Sequence, residues 1–286
     1  MAYLARLPSL PLRPFVERLW THERRGTAAA SREWCLPTGV ADLVLPLQGV
    51  APLRLAGPGD AAGRRYPQGV LQGPRDQSFL RGTGGDCVVV GAQFTPAGLS
   101  ALLREGAATW TGASWCASDL WPGLCDEVSQ RAHPCGGLCD AQARLLALDQ
   151  ALRARLHPRC HLDERVAHAV AALAAGQGVG AVQRASGWSP TSFIAAYRAA
   201  VGLSPKRHAD VMRLQRVLQA AGGALSWAAL AADAGYADQS HLSRHFTRLT
   251  GLTPGLYRRQ RTTYPHHVRA DWKIIQDSRL PTRQAA

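Results

Sequence analysis

The feature that most constrains this chain is a repeat in its C-terminal half. One copy reads Gly187-Trp188-Ser189-Pro190-Thr191-Ser192-Phe193, then Tyr197-Arg198 and Gly202-Leu203-Ser204-Pro205. The other reads Gly235-Tyr236-Ala237-Asp238-Gln239-Ser240-His241-Leu242, then Phe246 and Gly251-Leu252-Thr253-Pro254. Gly, aromatic, helix cap, apolar position, aromatic four residues on, then Gly-Leu-[Ser/Thr]-Pro keep their order in both. Ser189-Pro190, Ser204-Pro205 and Thr253-Pro254 each pair a capping hydroxyl with a proline preset for the first helical turn. Each copy therefore predicts a helix, a tight turn and a second helix, the unit that places a helix in a DNA groove. The stretch after Pro205, through Val211, Leu214 and Leu218, predicts one long helix joining the copies, ended by Gly222-Gly223.

Charge agrees with this reading. Of the net +13, residues 161–286 hold 16 Lys/Arg against 7 Asp/Glu, while residues 1–160 hold 17 against 13. The excess lies where the repeat lies, as a phosphate-neutralising surface requires. The N-terminus lacks the apolar core of a secretory signal, and no run approaches the ~18 apolar residues of a membrane span. Seven cysteines at scattered spacing make no disulfide framework. A cytoplasmic, nucleoid-associated location and no membrane contact are expected.

In the second copy, Leu242, Phe246 and Leu249 recur at helical spacing and predict the buried face. His241, Arg244, His245 and Arg248 are then expected on an outward stripe, with Ser240 near the helix start and Asp238 as its cap. Such a stripe suits a major groove: Arg244 can fork to a guanine edge, Ser240 and His241 can read a neighbouring base, and Arg248 can hold a phosphate. An ordinary solvated face is the bland alternative. In the first copy Phe193, Tyr197 and Val201 supply the buried face. The matching outward positions are Ser192, Ala195, Ala196 and Ala199, with almost no hydrogen-bonding capacity. Thr191, Ile194 and the alanines can touch thymine methyls, while Arg198, Lys206 and Arg207 can hold phosphates. The expectation is an asymmetric reader whose second helix carries most direct readout.

The run from Ala231 through Gly235-Tyr236-Ala237-Asp238-Gln239-Ser240-His241-Leu242-Ser243-Arg244-His245-Phe246 to Gly251-Leu252-Thr253-Pro254 and Tyr257-Arg258 resembles the signature of AraC/XylS-type transcriptional regulators. The likeness covers residues 162–261. It implies two helix-turn-helix units on a rigid linker helix, reading successive major-groove segments. Carried over, the family's base-contacting positions fall on Thr191, Ile194 and Ala195, and on Ser240, His241 and Arg244. Gln183 departs from that pattern, where a small residue is usual, as does Ala195, where a basic one is usual. The segments Leu12–Trp20, Leu36–Leu43, Gly73-Pro74 and Gly91–Gly98 are similar to a sensor-like domain found ahead of AraC-type DNA-binding domains. A β-rich, cupin-like sandwich with trailing helices is implied, serving ligand sensing, dimerisation or both.

Residues 1–110 themselves read as short strands and turns, with Ala41–Leu47 and Cys87–Phe94 as apolar runs. Gly57–Gly73, rich in Gly, Pro and Arg, is expected to include a mobile loop. A helix is expected to start near Leu99, and Asp140–Leu156 has Leu145, Leu148, Leu152 and Leu156 on one helical face. The fold class expected is α+β multidomain: a β-rich cupin-like domain over 1–158, an all-α DNA-binding domain over 159–262 with two helix-turn-helix units joined by a linker helix, and a polar tail over 263–286 with no assigned fold. Trp34, Trp110, Trp115 and Trp121 are candidate pocket-lining or core residues.

Two other readings stay open. His133, Cys135 and Cys139, with Cys160-His161, could make a metal or redox sensor acting through the same DNA-binding domain, though the spacing is poor for zinc. An enzyme with a DNA-binding appendage is the other. It finds no support in GxSxG, phosphate-loop or dinucleotide fingerprints, so no catalytic residue, metal or cofactor is expected. Double-stranded DNA is the expected partner, with RNA polymerase as protein partner and a small-molecule effector and a second copy of the chain as candidates.

Overall fold

The computed structural model describes residues 2–25, 31–57, 59–60, 62–103, 105–133, 140–156, 162–223 and 225–270. Eleven strands are seen among them: β1 (Ala2–Arg6), β2 (Val16–Arg24), β3 (Ser31–Cys35), β4 (Asp42–Gly49), β5 (Leu53–Leu55), β6 (Arg64–Arg65), β7 (Val70–Gln72), β8 (Phe79–Thr83), β9 (Cys87–Phe94), β10 (Ser114–Cys116) and β11 (His267–Arg269). The helices are α1 (Gly98–Leu103), α2 (Ala117–Leu120), α3 (Leu124–Ala132), α4 (Ala141–Arg153), α5 (Glu164–Ala174), α6 (Val179–Ala185), α7 (Pro190–Val201), α8 (Pro205–Ala220), α9 (Trp227–Asp233), α10 (Gln239–Thr250) and α11 (Pro254–Gln260). The expected β-rich region followed by a helical one is the observed architecture.

The strands form two antiparallel sheets, one ordered β1-β2-β9-β4-β7-β10 and the other β11-β3-β8-β5-β6. Side-chain alternation gives each sheet two different faces. In the six-stranded sheet, Leu19, Leu43, Leu45, Val90 and Ala92 face a core shared with Val128 of α3 and Leu145, Leu148 and Leu152 of α4. The intervening Trp20, His22, Asp42, Val44, Val89 and Gln93 line a cavity. Both faces of β9 are thus occupied, which is why its sequence is a nearly unbroken apolar run. Asp140 caps α4 by accepting a hydrogen bond from the Ala143 amide at 2.6 Å.

The five-stranded sheet alternates in the same way. Trp34, Leu55, Leu80 and Val268 pack in one cluster with Leu214 and Leu218 of α8 and Leu242, Phe246 and Leu249 of α10. Their neighbours Cys35, Arg54, Phe79, Arg81 and His267 face the cavity. This sheet is a single-layer partition between the cavity and the second helix-turn-helix unit. Of the four candidate tryptophans, Trp34 lies on its helix side, and Trp110, Trp115 and Trp121 belong to the core behind the six-stranded sheet. Among the described residues, Trp20 of β2 is the tryptophan that reaches the cavity.

One segment differs from expectation, while the stretch 57–73, expected to include a loop, also contributes β6 and β7. The tail read as foldless returns to the N-terminal sheet: β11 pairs antiparallel with β3, His267 opposite Cys35 and Arg269 opposite Glu33. Buried Val268 anchors it. Residues 271–286 of that tail lie outside the described residues.

The linker helix is held by the N-terminal region. Gly39, at φ +77°, turns the chain between β3 and β4 against α8, and a Cβ there would sit 3.1 Å from His208 and 3.2 Å from Val211. Gln215 donates to the Pro37 carbonyl.

Candidate nucleic-acid interface and cavity

The reader is built on helix caps. Ser189 accepts from the Ser192 amide, Ser204 from Arg207, Asp238 from His241 and Thr253 from Leu256, so α7, α8, α10 and α11 each start at a side-chain cap. In α10, Leu242, Phe246 and Leu249 are buried as the period required. Ser240, Arg244 and Arg248 are exposed, and His241 is half-buried with its ring edge-on to Tyr236 at 5.3 Å. Arg244 makes no ion pair among the described residues. Arg248 donates to Asp210 of α8 at 2.8 Å.

His245 is not on the outward stripe. It is buried beside Leu242, Phe246 and Leu249 on the three-four spacing of the core face. The Tyr236 hydroxyl hydrogen-bonds its Nδ1 at 2.7 Å, and its Nε2 lies 3.4 Å from Asp210. Burial works to raise the Asp210 carboxyl, yet the bonds from His245 and Arg248 hold it below the usual carboxylate range. Asp210 thus ties the linker helix to α10, a role that the sequence reading missed.

In α7, Thr191, Ile194, Ala195 and Arg198 are exposed, while Phe193, Tyr197 and Val201 are buried. Gln183 has a use: its amide donates to the Trp188 carbonyl at 2.6 Å and closes the turn. The C-terminal end of α7 rests on the N-terminal region, where Ser100 donates to the Ala200 carbonyl at 3.1 Å and Thr111 to that of Gly202 at 2.9 Å. Tyr197 bonds His208 Nδ1 at 2.5 Å. Burial lowers His208 to about 4 and raises the Tyr197 phenol, so the neutral ring accepts from the hydroxyl. Lys206 is exposed. Arg207, expected to hold a phosphate, forks instead onto buried Asp76, just before β8, with Nη2 2.9 Å from Oδ1.

The cavity between the sheets has a volume of about 780 Å³. Gly91 makes room in its wall: a Cβ there would lie 2.3 Å from the Trp20 ring opposite it. Arg81 is tied to Glu33 at 2.7 Å and donates to His267 Nδ1 at 2.9 Å. Burial first, then the neighbouring Arg81, keeps His267 neutral. Burial pushes Asp42 up to about 7. The cavity is enclosed partly by the segment after the reader, through Tyr264, Pro265, His266 and His267.

The metal or redox candidates fare unevenly. Cys135, Cys139, Cys160 and His161 lie outside the described residues, and His133 bonds the Ser129 carbonyl and Gln48. Cys35, Cys87, Cys116 and Cys125 are unpaired thiols. Burial pushes Cys35 up and Cys125 up to about 11, which disfavours thiolate. No group of three or more His, Cys, Asp or Glu side chains is placed to hold a metal among the described residues. No helix among them is long and apolar enough to cross a membrane.

Comparison with known proteins follows this geometry. Residues 187–260 match a family described as "Helix-turn-helix domain" and residues 5–115 one described as "Domain of unknown function (DUF6597)". No curated protein matches the sequence. Among solved structures, the chain is similar to ToxT from Vibrio cholerae O395, at 10% identity, covering 83% of this chain and 96% of that one, with a TM-score of 0.42. It is also similar to unsaturated fatty acid bound wild-type ToxT from Vibrio cholerae strain SCE256 (10% identity, 90% and 94% covered, TM-score 0.42). A further similarity is to the xylose-binding transcription activator XylR (17%, 41% and 39%, 0.30). Residues 187–260 are a helix-turn-helix DNA-binding domain of the AraC type, the kind carried by transcription regulators, and residues 5–115 a domain of the DUF6597 kind.

Proposed function

We propose that this chain is a sequence-specific transcription regulator that reads DNA mainly through α10 and is controlled by a small molecule held between the two sheets. The observation that carries the reading is the face of α10: capped by Asp238, packed through Leu242, Phe246 and Leu249, and presenting Ser240 and Arg244 outward. Ser240, His241 and Arg244 read base edges, and Arg248 holds a phosphate on leaving Asp210. Thr191, Ile194 and Ala195 of α7 make apolar contacts, while Arg198, Lys206 and, once released from Asp76, Arg207 hold phosphates. The division at 158/159 and at 262/263 is one of role: residues 1–158 sense, 159–262 read, and the tail closes the cavity. RNA polymerase and a second copy of the chain are proposed partners, to be checked by co-purification and by light scattering.

The test is selection of bound duplexes from random DNA by the full-length chain. Two blocks of preferred bases about 10 bp apart are expected, with more information in one block, and Arg244→Ala should relax the preference within it. Recovery of salt-sensitive, sequence-independent binding alone would overturn the reading.

A further inference from the structure

The cavity's charge is not balanced by its own walls. Among its described lining residues, seven are arginines (Arg18, Arg24, Arg32, Arg54, Arg65, Arg75 and Arg81) and one, Asp42, is acidic. Arg81 has Glu33, and Arg24 is spent on the carbonyls of Gly84 and Gly85. Arg54 and Arg75 differ from these. Both guanidiniums lie over the Phe79 ring, 4.9 and 5.0 Å from its centroid, so their charges are no farther apart than those distances added, 9.9 Å. Neither has a carboxylate within ion-pair distance among the described residues. The hydrogen bonds seen are a long one, 3.5 Å, from Arg54 to the Leu53 carbonyl and one of 3.2 Å from Arg75 to Ser114. The Nε of each is buried without a partner. A guanidinium carries five N–H donors in a fixed fork, so most of this pair's donors have no protein acceptor.

We propose that the cavity binds an organic acid, its carboxylate held by Arg54 and Arg75 beside Phe79 and its apolar body lying along Trp20, Val44 and Val89. Burial lowers both arginines to about 10, which still leaves them charged at neutral pH. Half-buried like charges with unused donors are unfavourable alone and favourable around an anion, and a forked guanidinium matches the two oxygens of a carboxylate. The walls contributed by Trp20, Val44 and Val89 are apolar, and the volume falls in the range that encloses a ligand of drug size. Phe79 and Leu80 are consecutive on β8, so a ligand seated on the first lies one residue from the core of the second helix-turn-helix unit. The proposal rests on the reading of this cavity as the effector site and names the class of effector.

The test is calorimetric titration of the full-length chain with biphenyl-4-carboxylate and dodecanoate, each beside the alcohol and the amine of the same skeleton, up to about 1 mM. Binding by an acid but not by its alcohol or amine is expected. The double variant Arg54→Gln/Arg75→Gln should weaken it about tenfold to a hundredfold, the loss of charge-assisted hydrogen bonds. Thermal unfolding of the ligand-free double variant guards against simple misfolding: its transition should hold or rise, because an uncompensated charge pair is removed. Acid binding unmoved by the double substitution, or an alcohol or amine binding as tightly as its acid, would overturn the anion while leaving the effector site standing. Binding by none of the three classes would overturn both.

Discussion

The two helix-turn-helix units share a pattern but not a setting. In the first, Phe193, Tyr197 and Val201 pack with α5 and α6 in a core to which the N-terminal region adds Ala97, and the end of α7 is hydrogen-bonded to that region. The second shares a core with a whole sheet: Trp34, Leu55, Leu80 and Val268 are part of the same cluster as Leu242, Phe246 and Leu249. The second also carries the exposed Arg244 where the first has Ala195. The base readout proposed for Arg244 and the attachment to the cavity wall therefore fall in one unit. On the proposed reading, a change in the wall reaches the unit that distinguishes sequences.

The sharpest way to break this comparison is Leu80→Ala. Leu80 is 1% exposed on the helix side of the partition, so the cavity left behind should cost about 2–5 kcal/mol in chemical unfolding. Loss of specific DNA binding should accompany it. A variant that keeps full stability would show that the second unit does not depend on the sheet.

Next comes Arg244→Ala, expected to cost about 1–3 kcal/mol on selected DNA and little on random duplexes, whereas Lys206→Ala should weaken both alike. Competition binding at fixed salt measures this. A larger selective loss from Ala195→Ser than from Arg244→Ala would reverse the asymmetry.

The third prediction concerns pH. His208 is fully buried at the contact between α7, α8 and the Gly39 turn, and burial lowers it from 6.5 to about 4. The unfolded chain takes up that proton first as pH falls, so the stabilisation is whole above about 6.5 and is lost progressively toward 4. At pH 5 the loss is about 2 kcal/mol at most. His208→Phe should flatten this part of the stability–pH curve, and an unchanged curve would place the acid sensitivity elsewhere, with His266 next to examine.

The smallest effect is expected for Asp76→Asn. Its partner Arg207 is 57% exposed, so solvent screening limits the cost to about 0.5–1 kcal/mol. Non-specific DNA affinity should rise as Arg207 is released, readable as a steeper salt dependence.

Much of this was legible in the sequence. The caps, the two recognition helices and the linker helix follow from local signals, and Cys87–Phe94 stands as β9 because an apolar run bounded by turns has few alternatives. His245 was misread because a stripe of polar residues at 241, 244, 245 and 248 looks continuous, although 242, 245, 246 and 249 form the more regular apolar face. β11 was not legible: three residues cannot show a period, and their partner lies at the other end of the chain. In the Arg54–Phe79–Arg75 group, Arg75 and Phe79 are four residues apart but Arg54 comes from another strand, so no sequence period joins the three.

The pairing of β11 with β3 sets an order of events in biosynthesis. Cys35 and His267 are partners 232 positions apart, so β3 leaves the ribosome with an unpaired edge that stays open until the reader has been made. At about 5–20 residues per second that interval is roughly 10–50 s. Edge strands invite pairing with other chains, so this is the period in which the nascent protein is most exposed to aggregation. It is also a period in which the cavity lacks Tyr264 and His266, so a finished effector site follows the DNA-binding units in time. A chain stopped at 262 would keep both recognition helices and lose that closing strand. It would be a reader with no completed receptor.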